Sequence, residues 1–194
     1  VGVDAIIVPI GWGARGTEGK IQAIKYAREN KIPYLGLCYG LQLAAIEYAR
    51  NVVGLEGASS TEINPESKYP IVHDIPFDPK YQRIKGNGVS MRLGGYDCHL
   101  KEGSLAHQIY GTTIISERHR HRYEVNNDYR KQLEDAGLVI SGTSPDDFFV
   151  EMIELPKEVH PFFLATQAHP EYKSRPLAPH PVFTSFLNAA IAGK

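Results

Sequence analysis

The sequence predicts an α/β fold with a central, mostly parallel sheet flanked by helices, and three observations carry that reading. A short apolar run, a glycine-rich loop and an amphipathic helical stretch follow one another near the start, and the same strand-then-helix order recurs at once. The remainder is rich in strand-like runs and ends on a further amphipathic helix. Two strand-to-helix units in succession imply parallel strands joined by helical crossovers that cover the sheet.

Taken in order, residues 4–9 (DAIIVP) form a strand-length apolar run and GWGARGTEG a loop, and KIQAIKYAREN is a helix in which Ile21, Ile24 and Ala27 recur every third residue. PYLGL supplies the second strand, and Leu41, Ala44, Ala45, Tyr48 and Val52 mark the apolar face of the second helix. Residues 54–90, rich in Gly, Ser, Pro, Asn and Asp, read as long surface connections able to carry a partner interface. The strands expected next are SMRLGGYDCHL, TTIISERHRHRYEV, LVISG, FFVEMIEL and FFLATQA, with a short helix at NDYRKQLEDAG. In the closing helix PVFTSFLNAAIA, Val182, Phe183, Phe186, Leu187, Ala190 and Ile191 share a face. No repeat, low-complexity tract or linker divides the chain, so residues 1–194 read as a single domain.

A formal net charge of -1 gives no electrostatic reason to expect nucleic acid or an anionic membrane as partner. No apolar run approaches the ~20 residues that span a bilayer, and no secretory leader is present. Two cysteines, Cys38 and Cys98, are too few for a disulfide framework, which fits a reducing cytoplasm. The chain starts at Val1 directly before its first strand, so further sequence is expected upstream.

In GLCYGLQ, Cys38 sits between strand and helix with Gly36 and Gly40 two positions to either side. That is the spacing of a nucleophile elbow, where a reactive side chain is held out of the sheet on a strained turn and flanking glycines avoid collisions. Facing the N-terminus of the following helix, the thiol is expected to have a lowered pKa. A buried structural cysteine is the competing reading, and for Cys98 it is the preferred one. A cysteine nucleophile needs a base and the base an orienting group. QAHPEY offers both, His169 and Glu171, at the end of a predicted strand.

The run ERHRHRY alternates, with Arg118, Arg120 and Arg122 on one side of a strand and His119 and His121 on the other. A phosphate or nucleic-acid track is opposed by the flanking Glu117 and Glu124 and the near-neutral chain. A metal site at the two histidines has no further cluster at zinc spacing. Pairing of the arginines with carboxylates elsewhere is the plain structural alternative.

GLCYGLQ followed by QAHPE resembles the class I glutamine amidotransferases, and SSTEINPES, MRLG, ERHRHRYEVNNDYRKQLEDAGLVISGTSPD and HPEYKSRPLAPHP are similar to the glutaminase domain of the CTP synthases. The resemblance spans nearly the whole chain. It implies a flavodoxin-like architecture and a triad of Cys38 as nucleophile, His169 as base and Glu171 as its orienting group. It further implies that Gln42, Glu62 and Arg122 hold L-glutamine, Glu62 suiting its ammonium and Arg122 its carboxylate. Backbone N–H groups of the Gly11 loop and of Tyr39 would bind the oxyanion.

The same resemblance implies no metal and no cofactor in this domain, and a missing N-terminal strand and helix. An upstream synthetase domain would bind ATP, UTP and Mg, use the ammonia to turn UTP into CTP, and assemble as a homotetramer. GTP is expected to stimulate hydrolysis through the lid-like loop ARGTEGK, residues 14–20.

Several positions next to the predicted triad depart from the family. PIGWG stands where the family has PGGFG, so Ile10 replaces a glycine, and a β-branched residue resists a positive φ there. Tyr39 replaces a leucine and Ala168 an aromatic residue, changes that would offset each other if the two side chains met. A weakened regulatory or scaffold module, motivated by Ile10, and a class I amidotransferase with another acceptor are the alternative readings.

Overall fold

A computed structural model describes residues 2–76 and 90–193. Residues 77–89 of the expected 54–90 connection lie outside the described residues. The chain opens with β1 (Ile6–Val8), α1 (Thr17–Glu29), β2 (Tyr34–Leu37) and α2 (Tyr39–Tyr48), the last extended by a π-turn at Ala49–Val53. It continues through β3 (Ser59–Ser60), β4 (Pro70–Asp74), β5 (Arg92–Leu100), α3 (Leu105–Tyr110), β6 (Ile114–His121), β7 (Tyr123–Val125) and α4 (Asn127–Asp135). It closes with β8 (Val139–Thr143), β9 (Val150–Glu154), β10 (Phe163–Thr166), a 3-10 turn at Pro170–Tyr172 and α5 (Pro181–Ala192).

The α/β class holds, but the sheet is mixed rather than mostly parallel. Its seven strands run β1-β2-β10-β9-β8-β5-β6, and only the β1–β2 and β2–β10 pairs are parallel. The four remaining pairs are antiparallel. The expectation extended the opening strand-to-helix units to the whole chain. Later strands such as β8 and β9 are joined by a short turn, which returns the chain antiparallel.

The predicted strand TTIISERHRHRYEV breaks after His121. β6 stays in the main sheet, whereas β7 pairs with β4 in a separate three-stranded sheet with β3. Arg122 lies at the break, exposed, and its carbonyl accepts from the Ile75 N–H at 2.8 Å. This small sheet occupies part of what the sequence suggested was loop.

Two apolar layers cover the main sheet. One joins α1 and α2 to the sheet around Ile21, Leu41, Ile46 and Phe163. The other packs α3 and α5 against it around Leu35, Leu164, Val182 and Phe186. α2 is buried on every side, including Glu47, whose charge is matched by Arg28 at 2.8 Å. α5 uses a narrower face than expected, with Val182 and Phe186 inside and Leu187 and Ile191 exposed. α1 starts at Thr17, so half of the lid-like loop is the first turn of a helix, preceded by Gly16 at φ 71°.

Gly36 and Gly40 are required by contact. A Cβ on Gly40 would lie 2.1 Å from the Val8 carbonyl oxygen, and one on Gly36 would lie 2.8 Å from both the Ala165 Cβ and the Gly40 carbonyl carbon. α2 therefore rests directly on the end of β1. Gly40→Ala is expected to lower unfolding free energy by about 3 kcal/mol through this overpacking, read from the shift of a chemical denaturation midpoint.

Candidate functional site

Cys38 is the residue between β2 and α2, at φ 51° and ψ -95°. For a residue other than glycine this backbone is strained by roughly 1–3 kcal/mol. The parallel β2–β10 register ends at Leu37 opposite Thr166, and the Cys38 N–H continues it by donating to the Thr166 carbonyl at 2.7 Å. The last residues of β10 and those after it are thereby brought beside the thiol.

His169 follows, buried, its N–H donating to the Arg118 carbonyl of β6 at 2.8 Å. Its Nδ1 meets Glu171 Oε1 at 2.7 Å, and its ring stacks on Tyr172 with centroids 5.3 Å apart. Nε2 is buried without a hydrogen-bond partner. An Nδ1–H donated to the carboxylate leaves Nε2 as a free proton acceptor. Of the expected trio, His169 and Glu171 are hydrogen-bonded to each other just past β10, the neighbour of the strand that leads into Cys38, and no hydrogen bond joins His169 Nε2 to the Cys38 sulfur.

The thiol is not activated in the way the sequence suggested. Burial pushes Cys38 up to about 12, against the opposing pull of the Tyr39 N–H, with the Glu171 charge adding to the rise. The helix N-terminus acts in the expected direction and is outweighed by desolvation. At neutral pH the sulfur keeps its proton until a base removes it. Cys98 lies in the core beside Gly142 and Leu100, also with a raised pKa from burial.

Tyr39 places its side chain under the glycine-rich loop. Its hydroxyl donates to the Gly13 carbonyl at 2.5 Å and lies 2.9 Å from Thr17 Oγ1, while its ring fills the space where Gly11 would carry a Cβ. Ile10 has no positive φ. The left-handed positions of the loop are Gly13 at 70° and Gly16 at 71°. The Gly13 N–H donates to Glu62 Oε1 at 3.1 Å, tying the loop to a candidate ligand for an ammonium. Burial raises the Glu62 pKa, and the Gly13 hydrogen bond and the charge of Arg122 oppose the rise.

Gln42 is buried and its amide nitrogen is already engaged, donating to the Tyr123 carbonyl at 2.9 Å and to Gln167 Oε1 at 3.2 Å. Gln167 in turn donates through Nε2 to Cys38 Sγ at 3.4 Å. The sequence reading passed over Gln167. The signal available was a polar residue at the inward end of an apolar strand, two positions before His169.

Along β6 the alternation is as expected, with Arg118 and Arg120 outside and His119 and His121 inside. None of Arg118, Arg120 and Arg122 forms an ion pair with another described residue. His119 Nδ1 lies 3.2 Å from His121 Nε2, and His121 Nδ1 meets the Tyr123 carbonyl at 2.9 Å. Among the described residues no group of three or more His, Cys, Asp or Glu could hold a metal.

Arg92 is buried against Glu151 and lies over the rings of Tyr96 and Phe149. Burial raises Glu151 to about 7 and Glu124 to about 9, with the Arg92 charge opposing both shifts. Burial lowers His121 to about 3 and depresses His119 as well. Glu124, His119 and His121 are therefore held toward their neutral forms around the Arg92–Glu151 pair.

The chain matches the family described as glutamine amidotransferase class-I over residues 1–189. It is 56% identical to the CTP synthase of Nocardioides sp. over 190 residues, 97% of this chain and 33% of that protein. It is also 56% identical to CTP synthase of Staphylococcus aureus, covering 97% of this chain and 34% of that one. The chain thus spans about a third of the length of the curated relatives it matches.

Among solved structures, the Trypanosoma brucei CTPS glutaminase domain with bound acivicin superposes with a TM-score of 0.89 at 42% identity, covering 98% of this chain and 72% of that one. A putative GMP synthase subunit from Thermoplasma acidophilum, at 19% identity and a TM-score of 0.60 over 98% of this chain and 74% of that one, shares the fold.

Because Glu124 is protonated in the folded chain up to about 9 instead of the ordinary 4.5, the stability it contributes is complete below 4.5 and is lost as pH rises through 9. Each pH unit in that window costs about 1.4 kcal/mol. Glu124→Gln is expected to flatten the alkaline decline, measured as melting temperature between pH 6 and pH 9.

Proposed function

The chain belongs to the class I glutamine amidotransferase family, and we propose that it hydrolyses L-glutamine to glutamate and ammonia through a Cys38 thioester. The observation that carries this reading is His169, bonded to Glu171 at 2.7 Å through one ring nitrogen and holding the other buried and unpartnered at the end of β10, which pairs with the strand leading into Cys38.

The chemistry follows from that arrangement. Cys38 attacks the side-chain amide carbon as its proton moves to His169 Nε2, so that negative charge develops on the sulfur only during the attack. The oxyanion that forms is met by the N–H groups of Gly11 and Tyr39. His169 passes the proton to the departing nitrogen, the C–N bond breaks and ammonia leaves. Water then attacks the thioester, His169 takes its proton and returns it to the sulfur, and glutamate departs. Glu62 would receive the substrate ammonium and Arg122 its carboxylate, with Gln42 lining the pocket behind the nucleophile.

Similarity to CTP synthases three times as long supports an upstream synthetase domain that binds ATP, UTP and Mg and uses the ammonia to convert UTP to CTP. A homotetramer in the reducing cytoplasm belongs to the same reading. GTP would act at the turn of residues 14–16 and the start of α1. A weakened regulatory or scaffold module is the alternative reading, distinguished by whether ammonia is released.

A glutamine analogue carrying a diazoketone in place of the amide is expected to label Cys38 in the intact protein, and Cys38→Ala to abolish both labelling and ammonia release. Ammonia production that persists in Cys38→Ala would defeat the proposal. Tyr39→Phe, which keeps the ring but removes one of the two hydroxyl donors to the Gly13 carbonyl and leaves Thr17 Oγ1 at 3.1 Å, is expected to reduce kcat by up to about tenfold, read in a coupled glutamate assay.

A further inference from the structure

We infer that Gln167 is a further catalytic residue, its side-chain amide donating to the Cys38 sulfur and stabilising the thiolate as the proton leaves for His169. This rests on Cys38 being the nucleophile, as proposed above.

The orientation of the amide follows from a fixed acceptor. The Tyr123 carbonyl can only accept, so the Gln42 group facing it at 2.9 Å is the NH2. The second hydrogen of that NH2 points to Gln167, 3.2 Å away, which must present its oxygen. The Gln167 NH2 is then turned to Cys38 Sγ at 3.4 Å. Flipping Gln167 would set its NH2 against the Gln42 NH2 and leave that hydrogen without its acceptor. His121 Nδ1, also on the Tyr123 carbonyl at 2.9 Å, holds that acceptor in place from the other side.

Gln167 is 1% exposed, and its own N–H is taken by the Glu151 carbonyl at 2.8 Å, so the side chain has little freedom to choose another partner. A sulfur that accepts from Gln167 keeps its own proton free for the unpartnered His169 Nε2. The hydrogen bond strengthens when its acceptor becomes anionic, so it favours the thiolate over the thiol. This matters where burial opposes charge on that sulfur.

Gln167→Met keeps the length and removes the donor, and Gln167→Glu keeps the acceptor for Gln42 but turns an oxygen on the sulfur. The pH dependence of Cys38 alkylation by iodoacetamide is measured in the intact protein without glutamine, by mass spectrometry of the Cys38 peptide. Loss of a hydrogen bond to a charged group predicts a rate about tenfold to a hundredfold lower at a given pH in Gln167→Met, with the profile displaced to higher pH. Gln167→Glu is expected to lose more. kcat for glutamine should fall by a similar factor with KM nearly unchanged.

A purely structural role would lower the melting temperature and leave the alkylation profile where it was. A folded Gln167→Met with the parent profile would overturn the inference, and should that variant not fold, an unchanged profile in Gln167→Glu would do the same. Failure of the diazoketone to label Cys38 in the unsubstituted protein would instead strike the proposed function itself.

Discussion

The hydrogen bond from the Cys38 N–H to the Thr166 carbonyl, at 2.7 Å, extends the β2–β10 pairing one residue beyond its last strand pair. It does so in a backbone conformation, φ 51°, that costs a non-glycine residue on the order of 1–3 kcal/mol. The surrounding structure over-determines that turn. Ahead of it β2 is buried between β1 and β10, and behind it every residue of α2 is buried, with Gly40 pressed on the Val8 carbonyl. With no slack on either side the sulfur has a fixed position, and the groups that follow β10 are delivered to it.

That rigidity has an electrostatic consequence. A buried sulfur gains less from a helix N-terminus than it loses in hydration, so the resting state is a thiol, and in the proposed reaction the work of deprotonation falls to His169. The histidine is suited to it because Glu171 settles which ring nitrogen carries the proton. Tyr39 connects the same turn to the glycine-rich loop, since its hydroxyl holds Gly13 while the Gly13 N–H holds Glu62. The turn at Cys38, the glycine-rich loop and Glu62 are therefore linked through Tyr39 and Gly13.

Beneath these groups lies a polar layer around the Arg92–Glu151 pair. Glu124 approaches His73 at 3.6 Å with both pushed toward their uncharged forms, and the His119–His121 pair sits inside β6 with lowered basicity. Neutral forms of Glu124 and the histidines limit the cost of buried charge around the Arg92–Glu151 pair. The Tyr123 carbonyl meets both His121 and Gln42, and the orientation of Gln42 and Gln167 follows from it.

From the sequence alone came the strand-to-helix units around Cys38, the glycines at two positions to either side and the inward and outward alternation of ERHRHRY, because each is set by local sterics or by a side-chain period of two. His169 and Glu171 were legible mainly through family resemblance, since spacing by itself does not say which distant histidine meets a given cysteine. Tertiary structure alone decided that most strand pairs are antiparallel, that α5 buries Val182 and Phe186 rather than Leu187, and that Arg122 falls at a break between two sheets. It also decided the ionisation of Cys38 and the place of Gln167. Desolvation and the turn of an amide depend on every group packed around them, and those groups come from segments more than a hundred residues apart in the chain, such as Gln42 and Gln167 with |i−j| of 125.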